Sequence, residues 1–420
     1  MVMVAVFIVR AGKSSDNAGG GIRLSFCVEM RFGRGYIRIR FFARKMDMEK
    51  KYRVALVSPN LGDHMTVKLA HSLAKVSRVG EVFVAGVDRG KGAVNPSFHA
   101  LSGFSSGGFF ARAFKLLPLF LKIREAVKPF DVVAAWSLDT SLLALLASKF
   151  FGAKNKKFIY FYSDVHPVCT RKSAAGALAR AVECFIARHA DIVAFTSPLF
   201  RTEYFGRICG LDIKNFQYVE NKIAPDFAEK SLAGYNPDSR DFSRPTIGYF
   251  GILPYKDAYD FMCAAARLGV RTYFRGKLLP SVAESFPPEV ENGGAYKNPD
   301  DFPEMYARVN MSYIIHNFAP DTNYQWQMTN RFYDALMMKT PLVVQKGTSC
   351  EKFVRENDIG VVVDIYNAAE SVGLLSSITS SDLKRWVANI SKLDKSAWLL
   401  GDEYERMFAK ILPADARADG

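Results

Sequence analysis

Short apolar segments alternate with longer amphipathic segments along most of the chain, and this alternation predicts strands that alternate with helices. The apolar segments are rich in Val, Ile, Phe and Tyr, which is typical of strands buried on both faces of a parallel sheet. Apolar residues three or four positions apart characterise the segments between them, as in helices that cover a sheet. Strands are predicted at residues 52–58, 81–87, 131–137, 156–166, 191–197, 216–221, 246–251, 270–276, 311–318, 342–344 and 360–365.

The alternation is interrupted once, by the polar segment at 231–245, and then restarts. Strand–helix alternation in two successive halves predicts an α/β fold with two doubly wound domains that face each other across a cleft. We place the first domain at 46–232 and the second at 245–395. A final helix is expected within 396–413, and its return to the first domain is left open.

Residues 1–45 differ from the rest because they hold nine Lys or Arg and only two acids, including the string RFGRGYIRIRFFARK. No strand–turn–helix order is evident there, and the segment lacks the features of a secretory signal. Three hypotheses remain. The segment is a disordered tail or an upstream mis-start, with Met46 or Met48 as the true beginning; it is an anchor on a membrane surface; or it is an arm that binds nucleic acid.

Composition narrows the class of protein further. A chain of 420 residues with 49% hydrophobic residues is long enough for two cores. No window holds about 18 uninterrupted apolar residues, so the sequence predicts no membrane-spanning helix. The six cysteines form no CxxC pair and have no histidine spacing suited to zinc, which favours buried thiols in a reducing cytosol.

The segment MTNRFYDALMMKTPLVV, residues 328–344, carries the first candidate chemistry. Asn330 is a plausible helix N-cap, and the apolar run after Pro341 predicts a buried strand. Arg331 and Asp334 lie one turn apart in an otherwise apolar helix. They form either a surface ion pair or a polar site at the open edge of the sheet, where α/β folds bind ligands.

Polar residues also follow two predicted strands and one turn. Asp164 and His166 end one strand and are candidates for the base that deprotonates an acceptor hydroxyl, or they cap and pack locally. His316 and Asn317 end another strand, on the opposite side of the cleft. Gly62 follows the first strand and either lines the acceptor side or makes a plain turn.

Four segments resemble nucleotide-sugar glycosyltransferases of the GT-B type, and the resemblance spans residues 52–410. RHADIVAFTS is similar to the strand that ends the family's first domain, and YVENKI to the segment before its linker. GYFGILPYKD resembles the first strand and loop of the second domain. NRFYDALMMKTPLVVQKGTSCEKFVRENDIGVVVD resembles the family's run of an acid-bearing helix, a turn, a strand, a loop ending in Glu and a Gly-containing strand.

The resemblance implies a GT-B fold and transfer of a sugar from a nucleotide-diphosphate donor, which binds as a substrate without a metal or other cofactor. Negative charge builds on the diphosphate, and cations or helix N-termini stabilise it. Lys256 is the first candidate for this role and Arg331 the second, while Asp334 corresponds to the family's ribose-binding glutamate. The remaining candidates on the donor side are Gly251, where backbone can approach phosphate, His316, Asn317 and Glu351.

Three departures from the family pattern bear on the mechanism. The retaining branch often has a second glutamate eight residues before the ribose acid, and here that position is Trp326. Ile252 replaces an arginine after the first glycine, and Lys339 occupies a turn where glycine is usual. Retention or inversion therefore stays open. A UDP-sugar epimerase of the same fold and a non-catalytic binding protein are the alternatives.

The segment 109–128 gathers aromatic and apolar residues with five Lys or Arg and one acid. This composition suits a helix at a membrane interface near a lipid-linked acceptor, although an ordinary helix packed on the sheet explains it as well. Pro118 argues against one straight helix. We expect cytoplasmic localisation, with contact to an anionic membrane as an option, and no nucleic-acid partner.

Overall fold

The computed structural model describes residues 10–13, 24–32, 35–42, 51–90, 93–103, 109–152 and 156–412. Between residues 52 and 412 it contains two parallel sheets, of seven and six strands, with helices packed on them. The α/β class predicted from the alternation of apolar and amphipathic segments is therefore confirmed.

A separate antiparallel sheet of three strands forms in the basic N-terminal segment. The strands are β1 (Arg10–Lys13), β2 (Leu24–Phe32) and β3 (Gly35–Phe42), in the order β1-β2-β3. The expectation of disorder is wrong for these strands, because β3 has the alternating sequence GYIRIRFF, whose period of two favours a strand. The mis-start, the membrane anchor and the nucleic-acid arm stay hypotheses for this segment.

The first domain is built on the seven-stranded sheet. Its strands are β4 (Tyr52–Ser58), β5 (Val79–Asp88), β6 (His99–Gly103), β7 (Val132–Trp136), β8 (Lys157–Tyr162), β9 (Ile192–Phe195) and β10 (Phe216–Tyr218). All pairs are parallel, in the order β10-β9-β8-β7-β4-β5-β6. The helices are α1 (His64–Ala74), α2 (Phe109–Val127), α3 (Leu138–Leu145), α4 (Ala174–His189) and α5 (Pro225–Leu232). Two π-helical turns add Leu146–Phe150 and Phe200–Ile208.

The second domain is built on the six-stranded sheet. Its strands are β11 (Thr246–Leu253), β12 (Arg271–Leu278), β13 (Val290–Asn292), β14 (Met311–Ile314), β15 (Leu342–Gln345) and β16 (Gly360–Val363). All pairs are parallel, in the order β13-β12-β11-β14-β15-β16. The helices of this domain are α6 (Lys256–Arg267), α7 (Phe302–Ala307), α8 (Asn323–Trp326), α9 (Asn330–Met337), α10 (Ser349–Asn357), α11 (Ala368–Ser376) and α12 (Ser380–Lys392). One more helix, α13 (Glu403–Ile411), follows them in the chain.

The last helix, α13, packs on the first sheet and not on the second. Its apolar face (Tyr404, Met407, Phe408 and Ile411) joins the core formed by β4, β8 and β9. The segment before it is tied to the end of the first domain by two backbone hydrogen bonds of 2.8 Å, from Ile223 N–H to the Trp398 carbonyl and from Leu400 N–H to the Ile223 carbonyl. The chain therefore crosses between the domains twice.

Strand order locates the crevice in each sheet. In the first sheet the chain adds β5 and β6 on one side of β4 and then β7 on the other. In the second it adds β12 and β13 on one side of β11 and then β14 on the other. Loops leaving neighbouring strands in opposite directions open a crevice at the carboxyl ends, where doubly wound sheets bind ligands. The two crevices, β4/β7 and β11/β14, are where the functional side chains are to be sought.

Candidate functional site

Arg331 lies over the β11/β14 crevice. Its guanidinium carbon is 4.1 Å from the centre of the Tyr249 ring, and its Nη2 donates a 3.5 Å hydrogen bond to the Ile315 carbonyl. Gly251 borders it: a Cβ atom there would lie 3.6 Å from Arg331 Nη1, and the φ of +125° requires glycine. A ring and a carbonyl hold the guanidinium in place, so its charge is available to an anion.

Asp334, one turn further along α9, does not form the ion pair with Arg331 that was considered from the sequence, because Arg331 stacks on Tyr249 instead. Burial raises the pKa of Asp334 to about 7, and nearby cations oppose this rise: Lys68 most strongly, then Arg331 and His64. Its carboxylate has no hydrogen-bond partner in the part of the chain that the structure describes. Asp334 can therefore accept hydrogen bonds from a ligand.

The start of α9 corrects one sequence-based prediction. Thr329 is the N-cap residue, and Asn330 is the first residue of the helix. The Asn330 side chain contacts the first domain, because its Nδ2 lies 3.2 Å from His64 Nε2 of helix α1. This contact joins the two domains at the rim of the cleft.

His316 is fully buried directly after β14. Its Nδ1 lies 2.8 Å from the Asn317 carbonyl, so Nδ1 carries the proton in the tautomer that this contact requires. Burial lowers the pKa of His316 to about 4, so the ring is neutral near pH 7. The other nitrogen, Nε2, is buried without a hydrogen-bond partner. It is an acceptor available to a ligand hydroxyl.

Buried polar atoms without partners are concentrated around this crevice. Native structures leave few such atoms, and each requires an explanation. Among the described residues, five of them lie within 316–331: His316 Nε2, Asn317 Oδ1, Gln327 Nε2, Thr329 Oγ1 and Arg331 Nε. They include a ring acceptor, an amide oxygen and a guanidinium N–H. A polar ligand that offers both donors and an anionic group would satisfy them.

A cavity of about 290 Å³ opens at the carboxyl ends of β7 and β8 in the first domain and contains both predicted catalytic residues. Asp164 lies at its mouth, where its Oδ1 accepts a 2.9 Å hydrogen bond from Asn323 of the second domain. Although exposed to the cleft, the carboxyl is surrounded by protein, and this desolvation raises its pKa to about 6. His166 is exposed, and its Nδ1 accepts from the Val168 N–H at 3.2 Å. Asp164 is therefore the better-placed base.

The same cavity is also lined by a residue with a strained backbone, Ser137, and by a second acid, Glu183. Ser137, at the end of β7, has a φ of +69°, which is uncommon for a residue other than glycine. Glu183 lines the cavity and accepts a 3.3 Å hydrogen bond from the Tyr162 hydroxyl and another hydrogen bond from Tyr204. Burial raises the pKa of Glu183 to about 7. Aromatic walls and carboxyl groups together suit a polyhydroxylated ligand.

No family model matches the chain. Over 303 residues it is 26% identical to the succinoglycan biosynthesis protein ExoL of Rhizobium meliloti (strain 1021), an alignment that covers 70% of this chain and 74% of the relative.

Two solved structures are similar in fold. HepE of Anabaena in complex with UDP has a TM-score of 0.56 at 13% identity, covering 86% of this chain and 98% of HepE. WaaG, a glycosyltransferase involved in lipopolysaccharide biosynthesis, has a TM-score of 0.58 at 13% identity, covering 84% and 98%. The chain has the GT-B fold.

Within this GT-B fold, Trp326 is part of the second domain in sequence and of the first in packing. It lies where the retaining branch often has a glutamate, but its side chain is 1% exposed and belongs to the core of the first domain. Its ring centre is 6.1 Å from that of Tyr204, and its carbonyl accepts a 2.6 Å hydrogen bond from the Ser197 hydroxyl. The residue thus joins the two GT-B domains and supplies no acid to the cleft.

Three predicted site residues are not brought into these clusters. Lys256 is the first residue of α6 and pairs with Asp260 on the exposed surface of that helix. Glu351 accepts a 2.6 Å hydrogen bond from the Gly347 N–H and pairs with Arg355 at 2.8 Å, so it stabilises the start of α10. Gly62 lies in the turn that leads into α1. Their ligand roles stay predictions.

The side chains that the sequence analysis missed are Lys68, Glu183 and Asn323. Lys68 and Glu183 lie on helices whose amphipathic pattern predicts ordinary surface positions, and only the packing of the fold encloses them. Asn323 is the first residue of the short helix α8, where a polar residue is common and carries no signal of its own. Among the described residues, no group of three or more His, Cys, Asp or Glu is placed to hold a metal ion.

Proposed function

We propose that the protein is a glycosyltransferase that moves a sugar from a nucleotide-diphosphate donor to a hydroxyl group of a glycan or lipid-linked glycan, in the synthesis of a cell-surface polysaccharide. The observation that carries the proposal is the set of five buried, unpartnered polar atoms around the β11/β14 crevice. The similarity to ExoL, a succinoglycan biosynthesis protein, and the fold shared with WaaG support it.

The donor occupies the second domain in this proposal. Arg331 faces the diphosphate and stabilises the negative charge that accumulates as the sugar departs. Asp334 accepts hydrogen bonds from the ribose hydroxyls, and His316 Nε2 accepts one from a hydroxyl of the sugar. HepE was solved with UDP and with UDP-glucose, which makes uridine diphosphate sugars the first donors to test.

The acceptor occupies the cavity of the first domain. Its attacking hydroxyl lies near Asp164, which takes the proton as the new glycosidic bond forms and the bond to the diphosphate breaks. Asn323 fixes the orientation of the Asp164 carboxylate through the 2.9 Å hydrogen bond. The Asn323 side chain is itself held in place, because its Oδ1 accepts a 2.9 Å hydrogen bond from the Val165 N–H. The base then belongs to the first domain, whereas the leaving diphosphate is bound by the second. The two domains must therefore be together for transfer.

The direct test is incubation with a panel of sugar nucleotides, with and without acceptor glycans, followed by analysis of the nucleotide and sugar products. Acceptor-dependent release of nucleoside diphosphate with a new glycosidic linkage is expected. Recovery of the donor with an inverted sugar carbon would instead establish the epimerase alternative. Binding without any turnover of the whole panel would support a non-catalytic protein.

Replacement of Asp334 by asparagine tests the ribose assignment. We expect the variant to fold and to bind UDP more weakly by about 1–3 kcal/mol, because a charged hydrogen-bond partner is lost. The wild type should prefer UDP to 2′-deoxy-UDP, and the variant should lose most of that preference. Calorimetry at pH 8, where Asp334 is mostly ionised, measures both. The matched control is Asp260→Asn, and equal binding of the two nucleotides by the wild type would refute the assignment.

An apolar patch on the first domain supports peripheral contact with a membrane. Helix α2 contains Pro118 in its interior, and Leu117 and Leu121 on it are 65% and 49% exposed. Phe150 and Phe151, at the end of the π-helical turn, are 48% and 57% exposed. Within the described part of the chain, no helix is long and apolar enough to cross a bilayer. We propose a cytoplasmic protein that docks by this patch.

Sedimentation with vesicles that contain anionic lipid tests the docking. We expect the double variant Leu117→Asp/Leu121→Asp to lose at least about tenfold in vesicle binding, because two leucines no longer enter the bilayer. Transfer to a water-soluble acceptor should remain. Leu268→Asp, a similarly exposed leucine of the second domain, is the control. Equal binding of the double variant and the control would exclude this surface.

A further inference from the structure

Two helices from different domains face each other across the cleft with matching spacing. On α1, His64 and Lys68 are four residues apart and share one face of the helix. On α9, Asn330 and Asp334 are also four residues apart. His64 Nε2 and Asn330 Nδ2 lie 3.2 Å apart, which aligns the first pair. Lys68 and Asp334 each lie one turn further along their helix, and the two residues interact electrostatically.

The ammonium group of Lys68 is enclosed without being paired. The side chain borders a narrow space that is also lined by Glu220, Asn221 and Tyr404. It forms no hydrogen bond or ion pair with the described residues, and burial lowers its pKa to about 8, with Asp334 opposing the shift. A half-buried cation without a direct partner is unfavourable unless its charge acts on a nearby group. Asp334 is that group.

Three basic residues and two tyrosines are the titratable neighbours of Asp334. From its own helix it faces Arg331, which is stacked on Tyr249, and from α1 it faces His64 and Lys68. On the remaining sides the titratable neighbours are two tyrosines of the second domain, Tyr296 and Tyr306, whose pKa values the Asp334 charge raises further after burial. Of these neighbours, Lys68 has the strongest opposing effect on the carboxyl of Asp334.

We propose that Lys68 is a positioning residue of the donor site, contributed by the first domain, which keeps Asp334 ionised so that its carboxylate accepts hydrogen bonds from both ribose hydroxyls. This inference rests on the proposed function. An ionised carboxylate offers two acceptor oxygens to a vicinal diol, whereas the protonated acid presents a donor in place of one of them. Because Lys68 belongs to the opposite domain, the nucleotide site is complete only when the domains are together.

The effect of Lys68 on the pKa of Asp334 can be measured in the protein without nucleotide. Aspartate labelled with ¹³C at the carboxyl carbon gives a titration for Asp334, identified by its loss in Asp334→Asn. We expect Lys68→Met to move the midpoint upward by about one pH unit, the lower end of the effect of an opposite charge, and Lys68→Arg to restore it. An unmoved midpoint in Lys68→Met would overturn the inference.

The functional consequence is measured by UDP affinity as a function of pH. The carboxylate must be unprotonated, so affinity rises as pH increases through the pKa of Asp334. Moving that pKa from about 7 to about 8 lowers the ionised fraction at pH 7 about fivefold. We therefore expect Lys68→Met to bind UDP about fivefold more weakly at pH 7 and nearly normally at pH 9. A loss of equal size at both pH values would show a merely structural role.

Different results would refute the proposed function and the role assigned to Lys68. A wild-type protein that binds no UDP or other nucleoside diphosphate at any pH would overturn the proposed function. The Asp334 titration would still show whether Lys68 controls that carboxyl. Normal UDP binding, together with an unmoved titration in Lys68→Met, would overturn only the role assigned to Lys68.

Discussion

Replacement of Asp164 by asparagine is expected to lower sugar transfer about 10²–10⁴-fold, the usual contribution of a general base. Asparagine has nearly the same shape and keeps one oxygen toward Asn323, so the domains should stay in contact and UDP binding should change little. The loss should therefore appear in kcat. Steady-state kinetics at saturating donor and acceptor measure it.

The pH dependence gives a second test of Asp164. Its pKa is raised to about 6, so the base is unprotonated above pH 6 and becomes protonated below it. At saturating donor, the rate of the wild type should fall about tenfold per pH unit below 6 and stay level just above it. Asp139→Asn, at the exposed start of α3, is the control and should keep the wild-type profile. Wild-type turnover in Asp164→Asn would place the base elsewhere.

Replacement of Arg331 by alanine is expected to lower transfer about 10²–10³-fold, the scale for removing one group that stabilises developing charge. Arg331→Lys should recover only part of this loss, because lysine keeps the charge but cannot stack its head group on Tyr249 in the same way. Single-turnover rates with UDP-glucose measure the effect on the chemical step.

The same experiment on Lys256 decides between two assignments of the diphosphate cation. The family resemblance favours Lys256, whereas the crevice contains Arg331 and leaves Lys256 paired with Asp260 on an exposed helix. We expect Lys256→Ala to lower transfer less than about tenfold, in keeping with the small energies of exposed ion pairs. A loss as large as that of Arg331→Ala would return the role to Lys256.

The sequence was sufficient for the features that depend on local pattern. The runs that form β8 and β14 are mostly apolar and rich in aromatic and β-branched residues, which favours buried strands. Arg331 and Asp334 stood out because they interrupt an apolar helix. The alternation of GYIRIRFF carried the same kind of signal, but the high charge of the segment favoured disorder and the strand was missed.

Features that depend on the meeting of two domains were beyond the sequence. Lys68 lies in HMTVKLAHSLA, where a lysine among apolar residues is expected on the solvent side of the helix. It becomes half-buried because residues distant in sequence, among them Glu220, Asn221 and Tyr404, close over it. The spacing of His64 and Lys68 after the first strand was the available signal, since it places two basic residues on one helical face near a ligand-binding edge.

Trp326 has a mechanical consequence for how substrates enter and leave. Exposing a buried tryptophan, which covers roughly 150–250 Å² of surface, costs about 4–6 kcal/mol, so fewer than about one molecule in a thousand would hold it withdrawn. Residues 319–327 should therefore travel with the first domain as a strap, with pivots near Phe318 and Met328. Unchanged fluorescence of Trp326 upon release of UDP would agree with this, and a shift to the emission of a water-exposed indole would contradict it.

The pivots of this strap lie next to His316 on one side and Arg331 on the other. In the proposed donor site, any hinge motion that opens the cleft must then change the distance between the sugar contact at His316 and the phosphate contact at Arg331. We therefore expect product release and loss of the transfer geometry to occur in the same motion, with the rate of that motion as an upper limit on turnover.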